Sequence, residues 1–153
     1  MEARLGNPIY IKVKKKYNQP LNKIWGVIAI EFGNSSNYNP DIKNSYLESE
    51  IKSGKGMKRH CDFYPKGYIK EEIIDWKDNE YFELEMLDSS FPMGFFKSKF
   101  SFSGNSETCE VTQEFWYRVK FPMGWISVLL KTKMTKALHN GLDGFEKYFE
   151  SKN

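Results

Sequence analysis

The residues in this sequence best placed to do chemistry are an arginine and a glutamate that an alternating pattern turns toward one apolar interior. Residues 57–63 alternate Met57, Arg59, Cys61 and Phe63 against Lys58, His60 and Asp62, so a strand here carries Arg59 on its apolar face. The next stretch repeats the alternation with Ile69, Glu71 and Ile73. If the hairpin loop covers Tyr64 to Lys66, Arg59 falls opposite Glu71; a two-residue loop puts Glu72 there instead, so a carboxylate meets Arg59 either way. A charge facing an apolar interior is costly unless paired, which makes a self-neutralising structural ion pair one reading. In the other, the planar donors of Arg59 orient a ligand carboxylate or carbonyl while Glu71 holds the guanidinium or acts as a base.

Other polar groups on inward parity are few. Residues 109–117 put Cys109, Val111, Gln113, Phe115 and Tyr117 on one face, which makes Gln113 and Tyr117 candidate polar anchors. The neighbouring inward sets, Phe82, Leu84, Met86 and Phe96, Ser98, Phe100, Phe102, are core residues first and ligand contacts second. His60 has outward parity, His139 sits in the last helix, and no His/Cys/Asp spacing matches a metal site. Cys61 and Cys109 face inward, where a thiol behaves as a small hydrophobe. Phosphate-cradling glycine loops, a serine nucleophile elbow and a dinucleotide fingerprint are all missing, so no cofactor is expected.

Several elements must position these groups. Ile9, Ile11 and Val13 alternate with Tyr10, Lys12 and Lys14, the signature of a half-buried strand over residues 9–17. Pro20 opens a helix in which Ile24, Val27, Ile28 and Phe32 share a face and Gly33 ends the run. The Asn/Ser-rich stretch 34–39 is a loop or short helical turn before Pro40. Residues 42–121 predict six strands in a meander. From Ile126 through Leu129, Leu130, Met134, Leu138, Leu142, Phe145 and Phe149 the spacing is helical, predicting one helix on the order of 35 Å long. Gly141 and Gly144 inside it suggest close packing. The whole is an α+β fold with one sheet face covered by the terminal helix.

The 153 residues suit one domain, 1–153, with a core. A net charge of +3 spread over a 28% charged composition gives little electrostatic reason to expect a nucleic-acid partner. The cluster Lys14, Lys15 and Lys16 reads as a solvated strand end. Two cysteines and no apolar leader run after Met1 point to a reducing, cytoplasmic setting. No apolar run approaches the roughly 20 residues of a membrane span, which leaves at most a peripheral membrane contact. Aromatic residues make up 16%, and such bulky groups line either a core or a cavity.

Turns in a meander alternate between the sheet's two ends. One end collects Tyr64-Pro65-Lys66-Gly67, Phe91-Pro92-Met93-Gly94 and Phe121-Pro122-Met123-Gly124, while the other has polar, glycine-rich turns. Type I turns explain the Pro and Gly positions. They do not explain why Phe91, Met93, Phe95, Phe121, Met123 and Trp125 gather at one end; such a rim marks a binding groove, an interface or a membrane contact, and we read it as the mouth of a cavity, with plain end-capping of the core as the alternative.

This element order resembles the SRPBCC superfamily, with its helix-grip fold. Local matches run along nearly the whole chain: Pro20 and Trp25 in the first helix, Tyr38-Asn39-Pro40 before strand two, and Gly56-Met57-Lys58-Arg59 opening strand three. Gly67-Tyr68-Ile69-Lys70-Glu71 on strand four and Gly141-Leu142 in the last helix complete the set. Tyr38 stands where many relatives carry Trp. The resemblance implies a curved seven-stranded antiparallel sheet around a long C-terminal helix, one or two short helices between strands one and two, and a cavity for a lipid, quinone or polyketide-like molecule. Expected cavity residues are Trp25, Tyr38, Arg59, Glu71, Phe82, Leu84, Phe96, Phe100, Gln113, Phe115, Tyr117, Met134 and Leu138. A carrier or sensor of a small hydrophobic ligand, monomeric or weakly dimeric, is the leading expectation. The alternatives are a cyclase or dehydratase using Glu71, Tyr117 or Asp75 in acid/base roles, and an interaction module whose interior is filled.

Overall fold

The computed structural model describes residues 7–151. Alternating apolar residues give strand β1 (Ile9–Tyr17) with the boundaries the periodicity sets, and its inward set is Ile9, Ile11, Val13, Lys15 and Tyr17. The meander follows as β2 (Ile42–Leu47), β3 (Lys58–Phe63), β4 (Tyr68–Lys77), β5 (Tyr81–Ser89), β6 (Met93–Gly104) and β7 (Cys109–Val119). All neighbouring pairs are antiparallel, in the order β1-β7-β6-β5-β4-β3-β2, so the strands before and after the first helical segment form the two edges. Register shifts between β4 and β5, at Lys70/Glu71 and Ile73/Asp75, are bulges of the kind that bend a strand and help curve the sheet.

Between β1 and β2 the helix expected from Pro20 to Gly33 is α1 (Leu21–Trp25) followed by a π-helical turn (Gly26–Ile30), and a 3-10 segment (Phe32–Asn37) covers most of the stretch expected as a loop or short helical turn. The apolar spacing survives this change because it records burial rather than helix type. Ile24, Val27, Ile28 and Phe32 are all buried. Trp25 packs edge-on against Trp76 and Phe102, each at 4.9 Å, and so closes the sheet end that carries the polar turns.

The terminal helix is broken as well, into α2 (Ile126–Leu129) and α3 (Lys131–Ser151). Ser127 is the physical cause. Its hydroxyl oxygen accepts the Val119 N–H at 2.8 Å and its carbonyl accepts the Tyr117 hydroxyl, which ties α2 back to β7. Leu129, expected on the inward face, is consequently 70% exposed. The 21 residues of α3 span about 31 Å.

The C-terminal half of α3 is fastened to β1 and to the segment before β2. The Tyr17 hydroxyl donates to the Leu142 carbonyl at 2.7 Å, and Lys15 reaches Asp143 at 2.6 Å and Glu146 at 3.5 Å. Lys15 therefore pins the helix, a role the solvated-strand-end reading of Lys14 to Lys16 did not give it. Leu142, Phe145 and Phe149 are buried beneath. Gly144 lies so close to the preceding segment that a Cβ there would overlap the Tyr38 carbonyl oxygen. The N-terminal half is different: none of residues 131–140 is buried.

Gly144→Ala should push α3 off Tyr38 and lower stability by about 1–3 kcal/mol, as overpacking does. Gly141→Ala, whose Cβ would sit 3.5 Å from the Asn39 side chain, should be close to neutral. Urea titration of both variants checks the difference.

Candidate functional site

β3 and β4 pair in the register that places Arg59 opposite Glu71. Arg59 Nε donates to Glu71 Oε1 at 2.8 Å, and its Nη1 donates to the Phe32 carbonyl at 3.0 Å. The guanidinium carbon sits 3.8 Å from the Phe32 ring centre, so the fork is held by a carboxylate, a carbonyl and an aromatic face. Both charged side chains are nearly buried, at 12% and 11% exposure. Burial works against the charge on Arg59, yet Glu71 outweighs it, and the guanidinium is held above its ordinary value. Burial pushes the Tyr38 hydroxyl up while Arg59 beside it pulls the other way. The Cys61 thiol is also raised, by burial first, and sits 3.4 Å from Ser35 Oγ.

These groups form one wall of a cavity of about 200 Å³ between the sheet and α3. Phe82, Leu84, Phe96, Phe100 and Phe115 supply the apolar floor, and Met134 and Leu138 from the unburied half of α3 supply the roof. Gln113 and Ser98 place a polar pair in the middle, with Gln113 Nε2 donating to Ser98 Oγ at 3.1 Å. Tyr38, Arg59 and Glu71 complete the set of expected positions that line it.

Two expected cavity residues lie elsewhere. Trp25 is in the aromatic cluster at the closed end, and Tyr117, its hydroxyl committed to Ser127, is outside the lining. Of the six rim residues, Met93 reaches the cavity wall. Phe91 packs edge-on against Phe63, which does line it, at 5.7 Å. Phe95 lies beside the Arg118 guanidinium, while Phe121, Met123 and Trp125 are exposed around the turn into α2. The Tyr64–Pro65 and Phe121–Pro122 peptide bonds are cis.

The lining also includes residues the sequence did not single out for it, among them Ile28, Ser35, Asn39, Asp41, Ile42 and Phe145. Ser35, Asn39 and Asp41 come from the aperiodic stretch before β2, where no pattern signals orientation. Phe145 was visible in the helical spacing, but nothing separated cavity wall from core. His60, on the outer face, is stacked between Tyr46 at 5.0 Å and Tyr68 at 5.4 Å and bonded to Asp62, away from the cavity. Asp75 is exposed, bonded to the Tyr81 hydroxyl.

A curved antiparallel sheet closed by a C-terminal helix over an apolar cavity defines a helix-grip protein of the SRPBCC type. A family model described as polyketide cyclase / dehydrase and lipid transport matches residues 10–150, and the chain belongs to that family. The fold is shared with a protein from Thermus thermophilus (TM-score 0.78, 13% identity, covering 95% of this chain and 99% of that one). It is likewise shared with a START superfamily protein from Mycobacterium smegmatis (TM-score 0.71, 12% identity, 96% and 97%). Norcoclaurine synthase from Thalictrum flavum, solved in complex with dopamine and hydroxybenzaldehyde, is a third (TM-score 0.71, 14% identity, 95% and 88%). No curated protein matches the sequence.

Two outcomes are expected from this geometry. Arg59→Met strands the buried Glu71 and should cost about 3–5 kcal/mol, whereas Arg59→Met combined with Glu71→Leu should recover most of it; urea melts of the two variants decide this. The second concerns pH. Burial raises Cys109 to about 11 from 9.0 and also raises Cys61, Tyr17 and Tyr38. An unfolded chain therefore loses these protons at lower pH than the folded one, so stability is complete below pH 9 and falls as pH rises toward 11. The urea midpoint should drop across that window.

Proposed function

We propose that this protein binds a small hydrophobic ligand in the cavity between sheet and α3 and carries or senses it without turnover, as a single domain in the cytoplasm. The observation that carries the reading is the cavity itself, about 200 Å³ of space walled by phenylalanines, Leu84 and two helix side chains, with polar groups at only a few points. An enclosed apolar cavity of about 150 Å³ takes up benzene, so this one has room for an aromatic ring with a short substituent. That favours a quinone-like or small aromatic ligand, or the end of a lipid chain, over a sterol. The small aromatics held by norcoclaurine synthase fit the same size class.

Polar positions suggest how such a guest would be oriented. Gln113 spends one amide hydrogen on Ser98 and has its carbonyl oxygen and second hydrogen left for a ligand hydroxyl or carbonyl. Arg59 is already committed to Glu71 and Phe32, so it serves better as a fixed positive wall than as a mobile ligand clamp.

Of the three acid/base groups named for a cyclase or dehydratase, Tyr117 is bonded to Ser127, Asp75 is exposed, and Glu71 lines the cavity beside Tyr38 and Asp41 but is tied to Arg59. This supports carriage over catalysis. A filled interior, as an interaction module would have, is not what the space between Ser98 and Met134 suggests.

Filling the cavity tests the reading. Met134→Trp, at a half-buried position on the roof, and Ser98→Leu, on the cavity lining, should each leave the fold intact and abolish uptake of a single-ring aromatic probe read by calorimetry. Native mass spectrometry of the wild-type protein should show a retained apolar small molecule. Probe uptake unchanged in both folded variants would refute the cavity as the binding site.

A further inference from the structure

The junction between β7 and α3 carries the largest concentration of exposed apolar side chains among the described residues. Phe121 is 75% exposed, Met123 43%, Trp125 63%, Val128 64% and Leu129 70%. Phe121, Trp125 and Val128 share one shallow groove, so these three form a contiguous patch, with Met123 and Leu129 next to them in the chain. Scattered apolar residues on a surface need no explanation, but five large ones within nine positions do. The fold spends structure on presenting them: Ser127 turns inward to bind β7, and Val128 and Leu129 are thereby turned outward.

Charge around the patch is one-sided. Between Glu114 and Asp143 the chain has no acidic residue, and it carries Arg118, Lys120, Lys131, Lys133 and Lys136. Lys120 and the three lysines of α3 are exposed or half-buried at the surface. Asp88 on β5 is the neighbouring carboxylate that senses Lys120. This is a second basic cluster besides Lys14 to Lys16, and it went unnoticed in the sequence because its members are spaced through apolar residues rather than contiguous.

We infer that this surface docks the protein on an anionic lipid bilayer, with Phe121, Trp125 and Leu129 entering the headgroup region and the α3 lysines resting on lipid phosphates. Exposed aromatic and aliphatic side chains with Arg118 on their groove and exposed lysines before and after them in the chain match an interface that is apolar below and negatively charged above. A second copy of the chain is a poorer occupant, because a two-fold contact sets this basic surface against itself. Position points the same way. Lys120 N–H bonds the Pro92 carbonyl at 2.9 Å, next to Met93 in the cavity wall, and Met134 in the roof lies one turn beyond the patch. A docked protein would hold the Met93 end of the cavity wall toward the bilayer. The docking itself does not rest on the cavity being occupied.

The test uses the purified full chain with vesicles of phosphatidylcholine alone or mixed with phosphatidylglycerol, read by co-sedimentation and tryptophan emission. Binding should be about tenfold or more stronger on the mixed vesicles, should weaken with added salt, and should shift the emission to the blue as Trp125 leaves water. Phe121→Ser with Leu129→Ser should reduce association by about tenfold or more. Lys131→Gln, Lys133→Gln and Lys136→Gln together should remove the preference for phosphatidylglycerol. None of these positions is buried, so circular dichroism and melting should be unchanged. Failure to associate with either vesicle, equal association with both, wild-type binding by the variants, or a concentration-dependent dimer that Phe121→Ser dissolves would overturn the inference.

Discussion

Close contact between the C-terminal half of α3 and the ground beneath it is what the rest of the molecule depends on. Tyr17 caps the Leu142 carbonyl from β1, Lys15 holds Asp143, and Gly144 allows the helix backbone to touch the Tyr38 carbonyl. Phe145 and Phe149 add buried area on the order of 1.5–3 kcal/mol each. The other half of the helix has no such hold. Met134 and Leu138 pack against the core only as partly buried side chains, and the space left between them and the concave sheet is the cavity. One anchored half and one raised half make a roof rather than a core helix.

The chemistry inside follows from what that arrangement leaves unfilled. Phenylalanines on β5, β6 and β7 cannot close a curved surface completely, so an apolar chamber remains with its polar groups at fixed places. Arg59 and Glu71 satisfy each other and borrow Phe32 for a carbonyl and a ring face, which lets two charges sit beside the chamber without an unpaired partner. The result is a wall with a permanent dipole and little freedom to move. Gln113 and Ser98, by contrast, keep bonding capacity for a guest.

Much of this was legible in the sequence wherever burial imposed a period. The alternation around Arg59 and Glu71 gave both the inward face and the cross-strand partner, because a slip of one residue would have turned every side chain outward. β1 and the inward set of β7 were read for the same reason. Legibility ended where local hydrogen bonds overrode periodicity. Ser127 breaks the terminal helix at Leu130 through bonds to Tyr117 and Val119 that no spacing announces. The segment contributing Ser35, Asn39 and Asp41 to the cavity has no repeat to read. Gathering of aromatics at one sheet end was visible, but their division into a wall residue, Met93, and an outward patch around Phe121 and Trp125 depends on which way α2 is tied.

Open apolar space under the raised half of α3 is the feature that ligand binding requires above all others. Diffraction from crystals held under xenon pressure reads that space directly, since xenon enters dry apolar cavities and is rejected where side chains fill them. A xenon peak between Phe100, Phe115 and Leu138 is the predicted result. A crystal structure with those side chains in mutual contact and no xenon among them would contradict it.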